Sequence, residues 1–182
     1  MMTATARTCR LPAAVLTTAV LVVALALTTG RSLDVGSEIP IRAHWFLLLG
    51  MAVVIGLPLY PSFGSLDRTL ARARTLRLVR WVCHAVLVAG ASAIALTAAA
   101  TDAVTWFLLL ATVGVLCAVV TTDKAWLVVI LVGGATVLWE HLALSSPVSS
   151  VARDIGLTGA GAAFLGSGVL FVLIPGRHDP EV

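Results

Sequence analysis

Long stretches without a charged side chain dominate the chain. Leu11–Gly30, Ala43–Leu66, Trp81–Thr101, Ala103–Thr122 and Ile155–Gly176 contain no Asp, Glu, Lys or Arg over 20, 24, 21, 20 and 22 residues. A helix that spans a bilayer needs about 20 predominantly apolar residues. A sixth window, Ala125–Trp139, runs for 15 residues before Glu140 closes it. It reaches spanning length if Glu140 and His141 sit at a headgroup boundary and Leu142–Leu144 complete the last turn. Six spans are therefore expected, at about 11–29, 43–60, 78–100, 103–121, 125–144 and 157–174. In hydrocarbon every backbone N–H and C=O must pair within its own segment, which favours helix. The short alternating segments of a membrane β-barrel are absent. The fold class expected is all-α: a polytopic transmembrane bundle forming one domain.

Composition agrees. Of 182 residues, 59% are hydrophobic and 12% are charged, and the mean hydropathy is +1.04. A soluble domain carries about twice that charge. Intrinsic disorder is excluded by the same numbers. The three cysteines, Cys9, Cys83 and Cys117, are an odd set without paired spacing and do not describe a disulfide scaffold. The first window has basic residues before it, Arg7 and Arg10, as a signal peptide would. Its apolar run from Leu11 to Leu27 is longer than the usual signal core, and no small-x-small cleavage site follows, so a retained anchor is expected.

The few charges set an orientation. With the N-terminus inside, Arg7, Arg10, Arg68, Arg72, Arg74, Arg77, Arg80, Lys124 and Arg177 are cytoplasmic, and Arg31, Arg42 and Arg153 are external. Cytoplasmic loops carry the excess of Lys and Arg, so both termini are expected inside. Trp45, Trp81, Trp106, Trp126 and Trp139 fall at the ends of the expected spans, where amphipathic rings favour the interface. The short Thr101–Asp102 and Thr122–Lys124 turns make spans 3, 4 and 5 antiparallel neighbours. The net charge of +3 is spread by this topology, and nucleic acid is not an expected partner.

Two connections carry more than a link. Pro61–Arg80 reads PSFGSLDRTLARARTLRLVR. Pro61 and Gly64 end the second span, Ser65 can cap a new helix, and Asp67 lies in its favourable first turn. At helical pitch Leu66, Leu70, Ala73 and Leu76 share one sector, with Arg68, Arg72 and Arg74 opposite. A short basic amphipathic helix on the cytoplasmic surface is expected, with Arg77 and Arg80 snorkelling at the entry to span 3. The plainer reading is that a cytoplasmic loop is basic by rule; the sharper one is docking of a cytoplasmic partner. The second connection, HLALSSPVSSVARDI from His141 to Ile155, is apolar but broken by Ser145-Ser146-Pro147. It is either an external loop or a short re-entrant piece.

Candidate chemistry is sparse. Glu140 and His141 form a candidate polar site at the outer end of span 5, where a solvated helix end is the plainer reading. His84 lies one turn inside span 3, toward the cytoplasmic headgroups. Cys83 and Cys117 read as buried structural cysteines. No metal-ligand spacing occurs, and no G-x-x-x-x-G-K-[ST] phosphate loop. Gly90-Ala91-Ser92-Ala93 is similar to the nucleophile segment of intramembrane serine proteases, but it would need a deep His partner. Span 6 carries small residues at four-residue spacing, Gly159/Ala163 and Ala162/Gly166, which suit close helix packing.

Six spans, both ends inside, a basic helix between spans 2 and 3 and a broken apolar piece before span 6 resemble the permease subunits of ABC-2 type exporters. LDRTLARARTLRLVRW (66–81) and ARDIGLTGAGAAFLG (152–166) are similar to stretches of small actinobacterial membrane proteins identified as such permeases. The resemblance implies that Leu66, Asp67, Arg68, Leu70, Arg72, Arg74, Leu76 and Arg77 belong to a coupling helix that seats on a cytoplasmic ABC ATPase. It also implies alternating access in a dimer, with a second permease copy or a paralogue, in a bacterial plasma membrane. The chain itself would hold no cofactor, ATP being bound by the partner. With no charge buried in a span to coordinate an ion, an amphipathic peptide, lipid or antibiotic is the expected substrate. The rival classes are a non-transporting membrane protein, such as an immunity or assembly factor, and an intramembrane enzyme.

Overall fold

The computed structural model of the chain describes residues 11–28, 32–33, 41–59, 73–98, 101–121, 124–142 and 147–174. Six helices make up nearly all of this: α1 (Leu11–Thr28), α2 (Ala43–Ile55), α3 (Ala73–Ala98), α4 (Thr101–Thr121), α5 (Ala125–Leu142) and α6 (Pro147–Leu173). A two-residue antiparallel pair, β1 (Ser32–Leu33) with β2 (Ile41–Arg42), precedes α2. The architecture is a helical bundle, as the uncharged windows require.

Four helical stretches are long and apolar enough to cross a membrane: Arg74–Thr97, Thr101–Val120, Ala125–Leu142 and Pro147–Leu173. The first two apolar windows form shorter helices, over Pro12–Leu27 and Ala43–Leu59. The chain is a helical membrane protein, and α4 is its axis. Two thirds of the α4 window (67%) is buried, against 22–28% for the other three. Phe107, Val104 and Val115 on α4 are fully enclosed. The outward faces of α3, α5 and α6 are apolar too, with Val86, Leu131 and Val169 exposed, as suits helices in lipid.

Two boundaries differ from the sequence expectation. Helix α2 stops at Ile55 rather than near 60. Pro58 has no N–H to give to residue 54, and its ring crowds that turn. The chain tightens into a 3-10 turn over Leu57–Leu59, where the Leu59 N–H donates to Gly56 O at 3.0 Å. Helix α3, described over Ala73–Ala98, is already formed ahead of the expected 78 and runs without interruption. Arg74, Leu76 and Arg77 therefore belong to the long helix and not to a separate surface helix. Leu66, Asp67, Arg68, Leu70 and Arg72 lie outside the described residues.

Helix α6 is two helical pieces, 147–155 and 157–173, joined at the non-helical Gly156, so the inner piece begins at the expected 157. Ser145-Ser146-Pro147 marks a helix start: proline suits the first helical position because its missing N–H would have been orphaned there anyway. The expected re-entrant piece, where it is described, is the first part of α6. It meets the rest at Gly156, whose φ of 68° and ψ of 165° break the helix.

Close packing depends on two glycines. A Cβ at Gly168 would fall inside the Trp81 indole, and one at Gly133 would collide with Leu49 and lie 3.1 Å from Leu110. Gly168 lets α3 and α6 approach, and Gly133 lets α5 approach both α2 and α4.

Candidate functional site

The described charged side chains sort to two ends of the bundle. Arg74, Arg77 and Arg80 lie in the first turns of α3, and Lys124 just precedes α5. Helix α4 links the end of α3 to the start of α5 and its 21 residues span about 31 Å, so these four share one end. Asp102 at the start of α4, Glu140 at the end of α5, and Arg153 and Asp154 near the start of α6 share the other. Among the described side chains, one end is wholly basic and the other mainly acidic.

At the basic end, α3 is tied to the ends of two other helices. The Arg77 guanidinium donates to Ile174 O, just beyond the C-terminus of α6. A cation is favourable there, because the last carbonyls of a helix carry partial negative charge. One turn deeper, Trp81 stacks on Phe164 of α6 with ring centroids 6.4 Å apart.

One turn deeper again, His84 makes the second tie. Its Nδ1–H donates to Ile55 O across 2.7 Å. In an uninterrupted helix that carbonyl would accept from Leu59 N–H; Pro58 has diverted that donor to Gly56. His84 thus supplies the cap that α2 lacks. Its ring also packs against Phe164, 5.6 Å away. The expectation that His84 looks toward the headgroups is corrected: the side chain is 1% exposed and points into the bundle. The energetic reason is the orphaned carbonyl, since a buried acceptor without a donor costs about 1–3 kcal/mol.

At the other end, Glu140 caps α6. One carboxylate oxygen, Oε2, accepts from Val148 N–H at 2.7 Å and Ser149 N–H at 3.0 Å. The other, Oε1, accepts from the Ser149 hydroxyl. A carboxylate at a helix N-terminus both satisfies orphan donors and faces the positive end of the dipole. His141, its neighbour, turns back on its own helix, with Nδ1–H donating to Val137 O at 2.7 Å. The two adjacent residues thus have separate partners. Arg153 reaches Asp102 at 2.9 Å, with the guanidinium 70% exposed and the carboxylate 26%. Such a pair contributes about 0.2–1 kcal/mol. Beneath it, Trp106 stands edge-on to Trp45, 4.8 Å between centroids, and donates from Nε1 to Thr136 Oγ1 at 3.0 Å.

The remaining candidates stay apart. Ser92 lies within helix α3, and its hydroxyl oxygen is buried with no hydrogen-bond partner, so it is not bonded to His141. Among the described residues no three His, Cys, Asp or Glu side chains gather as metal ligands. Cys83 and Cys117 are half-buried on α3 and α4. The polar links between helix ends were missed by sequence reasoning. For the His84 link the signal was Pro58, which withdraws the Leu59 N–H from Ile55 O.

No family model, curated protein or solved structure matches the chain.

Proposed function

We propose that the chain is the membrane-embedded permease subunit of an ABC-type exporter, energised by a separate cytoplasmic ATPase. The observation that carries this reading is the continuity of α3. From Ala73 it is one helix, with a basic start at Arg74 and Arg77 and rigid ties to α6 through Ile174 O and to α2 through Ile55 O. A push on that end has three helices to move together. The all-basic end suits the cytoplasmic side by the positive-inside rule, and carboxylates on an ATPase surface complement it. In this reading the chain makes six passes through the plasma membrane with both termini inside. Residues 66–77 couple to the ATPase, and an amphipathic peptide, lipid or antibiotic passes between two copies or between this chain and a paralogue.

The described interior around α4 supports a second reading, a non-transporting membrane protein such as an immunity or assembly factor. It is packed with apolar side chains, among them Phe107, Val104 and Val115, and such a protein needs no path.

Co-purification separates the two. The tagged chain, extracted in mild detergent, is expected to retain an ABC ATPase from its own host. Arg72→Glu with Arg74→Glu, which leaves the Arg77 tie to Ile174 O in place, is expected to release it while the bundle stays folded. A chain that purifies alone, and whose double charge reversal alters neither partner nor phenotype, favours the second reading.

A further inference from the structure

Helix α6 is two pieces with different anchors. The inner piece, Leu157–Leu173, is held by buried apolar packing, with Ala160, Phe164 and Phe171 enclosed. The outer piece, Pro147–Ile155, buries Ala152 but leaves Val151 and Ile155 exposed. Besides Ala152 and Val148, which pack on the core, it is attached by polar links to its neighbours: the Glu140 cap from α5 and the Asp102–Arg153 ion pair from α4. The pieces meet at Gly156, at a φ of 68° that L side chains rarely adopt. A Cβ there would meet nothing within 4 Å. Close packing therefore does not require this glycine. Its backbone conformation does.

A glycine needed for its dihedral freedom, between a firmly packed piece and a shorter one held to two other helices by polar links, has the anatomy of a hinge. We propose that Pro147–Ile155 is a hinged cap that swings about Gly156 and is latched to the bundle by Glu140 and Asp102. The cap closes over the ends of α4 and α5 when both links are made. Loss of either link releases it without disturbing the inner piece. This device is independent of the transport reading, because it concerns only how α6 is held.

The full chain in lipid nanodiscs, with Cys9, Cys83 and Cys117 replaced by alanine, tests it by electron-spin distance measurement. One spin-label pair, at Lys124→Cys and Ser150→Cys, reports the cap. A second, at Lys124→Cys and Ala163→Cys, reports the inner piece. The expected result is a latched distance and a minor displaced one for the first pair. Glu140→Ala is expected to raise the displaced-to-latched ratio about tenfold, as loss of a charge-assisted bond would. Asp102→Asn should raise it less, and the second pair should not change. Raising salt to 1 M, where the screening length falls to about 3 Å, is expected to weaken the exposed Arg153–Asp102 pair and shift the unaltered latch as Asp102→Asn does. That arm decides the matter if Glu140→Ala does not fold. A single first-pair distance, unmoved by either substitution or by salt, would overturn the hinge. So would equal shifts in both pairs, which mean that α6 moves as one rod.

Discussion

His84 Nδ1 lies 2.7 Å from the carbonyl oxygen of Ile55, a residue 29 positions earlier. That carbonyl is free because Pro58 ends α2 and sends the Leu59 N–H to Gly56 instead. A proline on one helix thus accounts for a buried histidine on another. If so, the two residues are energetically coupled. His84→Ala is expected to destabilise the bundle by about 1–3 kcal/mol through the unsatisfied carbonyl alone, with a further loss from the cavity. In a Pro58→Ala background α2 can continue and Leu59 can serve Ile55. The His84→Ala penalty should then shrink by about 0.5 kcal/mol or more. Reversible unfolding in bilayers or mixed micelles, run as a double-mutant cycle, measures this; strict additivity would break the link.

The indole of Trp81 occupies the space that a side chain at Gly168 would need. Gly168→Ala is expected to cost about 1–3 kcal/mol from overpacking. Combining it with Trp81→Ala should recover part of that loss, because the cavity accepts the new methyl group. A double variant whose destabilisation equals the sum of the two singles would show that the two side chains do not compete for one space.

The same substitution at Gly161 and Gly166 should behave in the opposite way. A Cβ at either meets no atom within 4 Å, and alanine is the better helix former by about 0.5–1 kcal/mol. Gly161→Ala and Gly166→Ala are expected to leave stability unchanged or raise it slightly in a monomeric preparation. A large loss at Gly166, read by the same unfolding measurement, would mean that another chain packs there.

Glu140 and Asp102 both face α6, but they are not equivalent. Glu140 accepts from two backbone amides and a hydroxyl, whereas Asp102 holds a largely exposed arginine. Glu140→Ala is expected to cost about 1–3 kcal/mol and Asp102→Asn under about 1 kcal/mol. Added salt should narrow the Asp102 effect more than the Glu140 effect, since backbone amides carry no mobile charge to screen. Thermal denaturation in detergent at two salt concentrations is sufficient to rank them.

The helices were legible because each uncharged window demands one. Their ends were less so. Ser145-Ser146-Pro147 reads equally as a break or as a start, and only the Glu140 carboxylate on Val148 and Ser149 decides for a start. Pro61 and Gly64 look like the terminators of the second helix, but Pro58, within the apolar run, acts first. The periodicity of α3 places His84 on a face without saying what that face meets. The contacts that define the two bundle ends join residues as far apart as Arg77 and Ile174. Window arithmetic has no access to such pairs. Arg74, Leu76 and Arg77 do not form the separate surface helix read from the Arg-rich segment: they are continuous with α3, and the apolar and basic spacing of residues 66–76 had no means to show it.

The account requires that the start of α3 face the compartment that holds ATP. Cysteine accessibility in intact cells tests this directly, with single reporters at Lys124 for the basic end and at Ser150 for the acidic end, in a background with the native cysteines replaced. A membrane-impermeant maleimide is expected to label Ser150→Cys in intact cells and to reach Lys124→Cys only after the membrane is opened. Labelling of Lys124→Cys in intact cells, with Ser150→Cys protected until lysis, would put Arg74 and Arg77 outside and contradict the account.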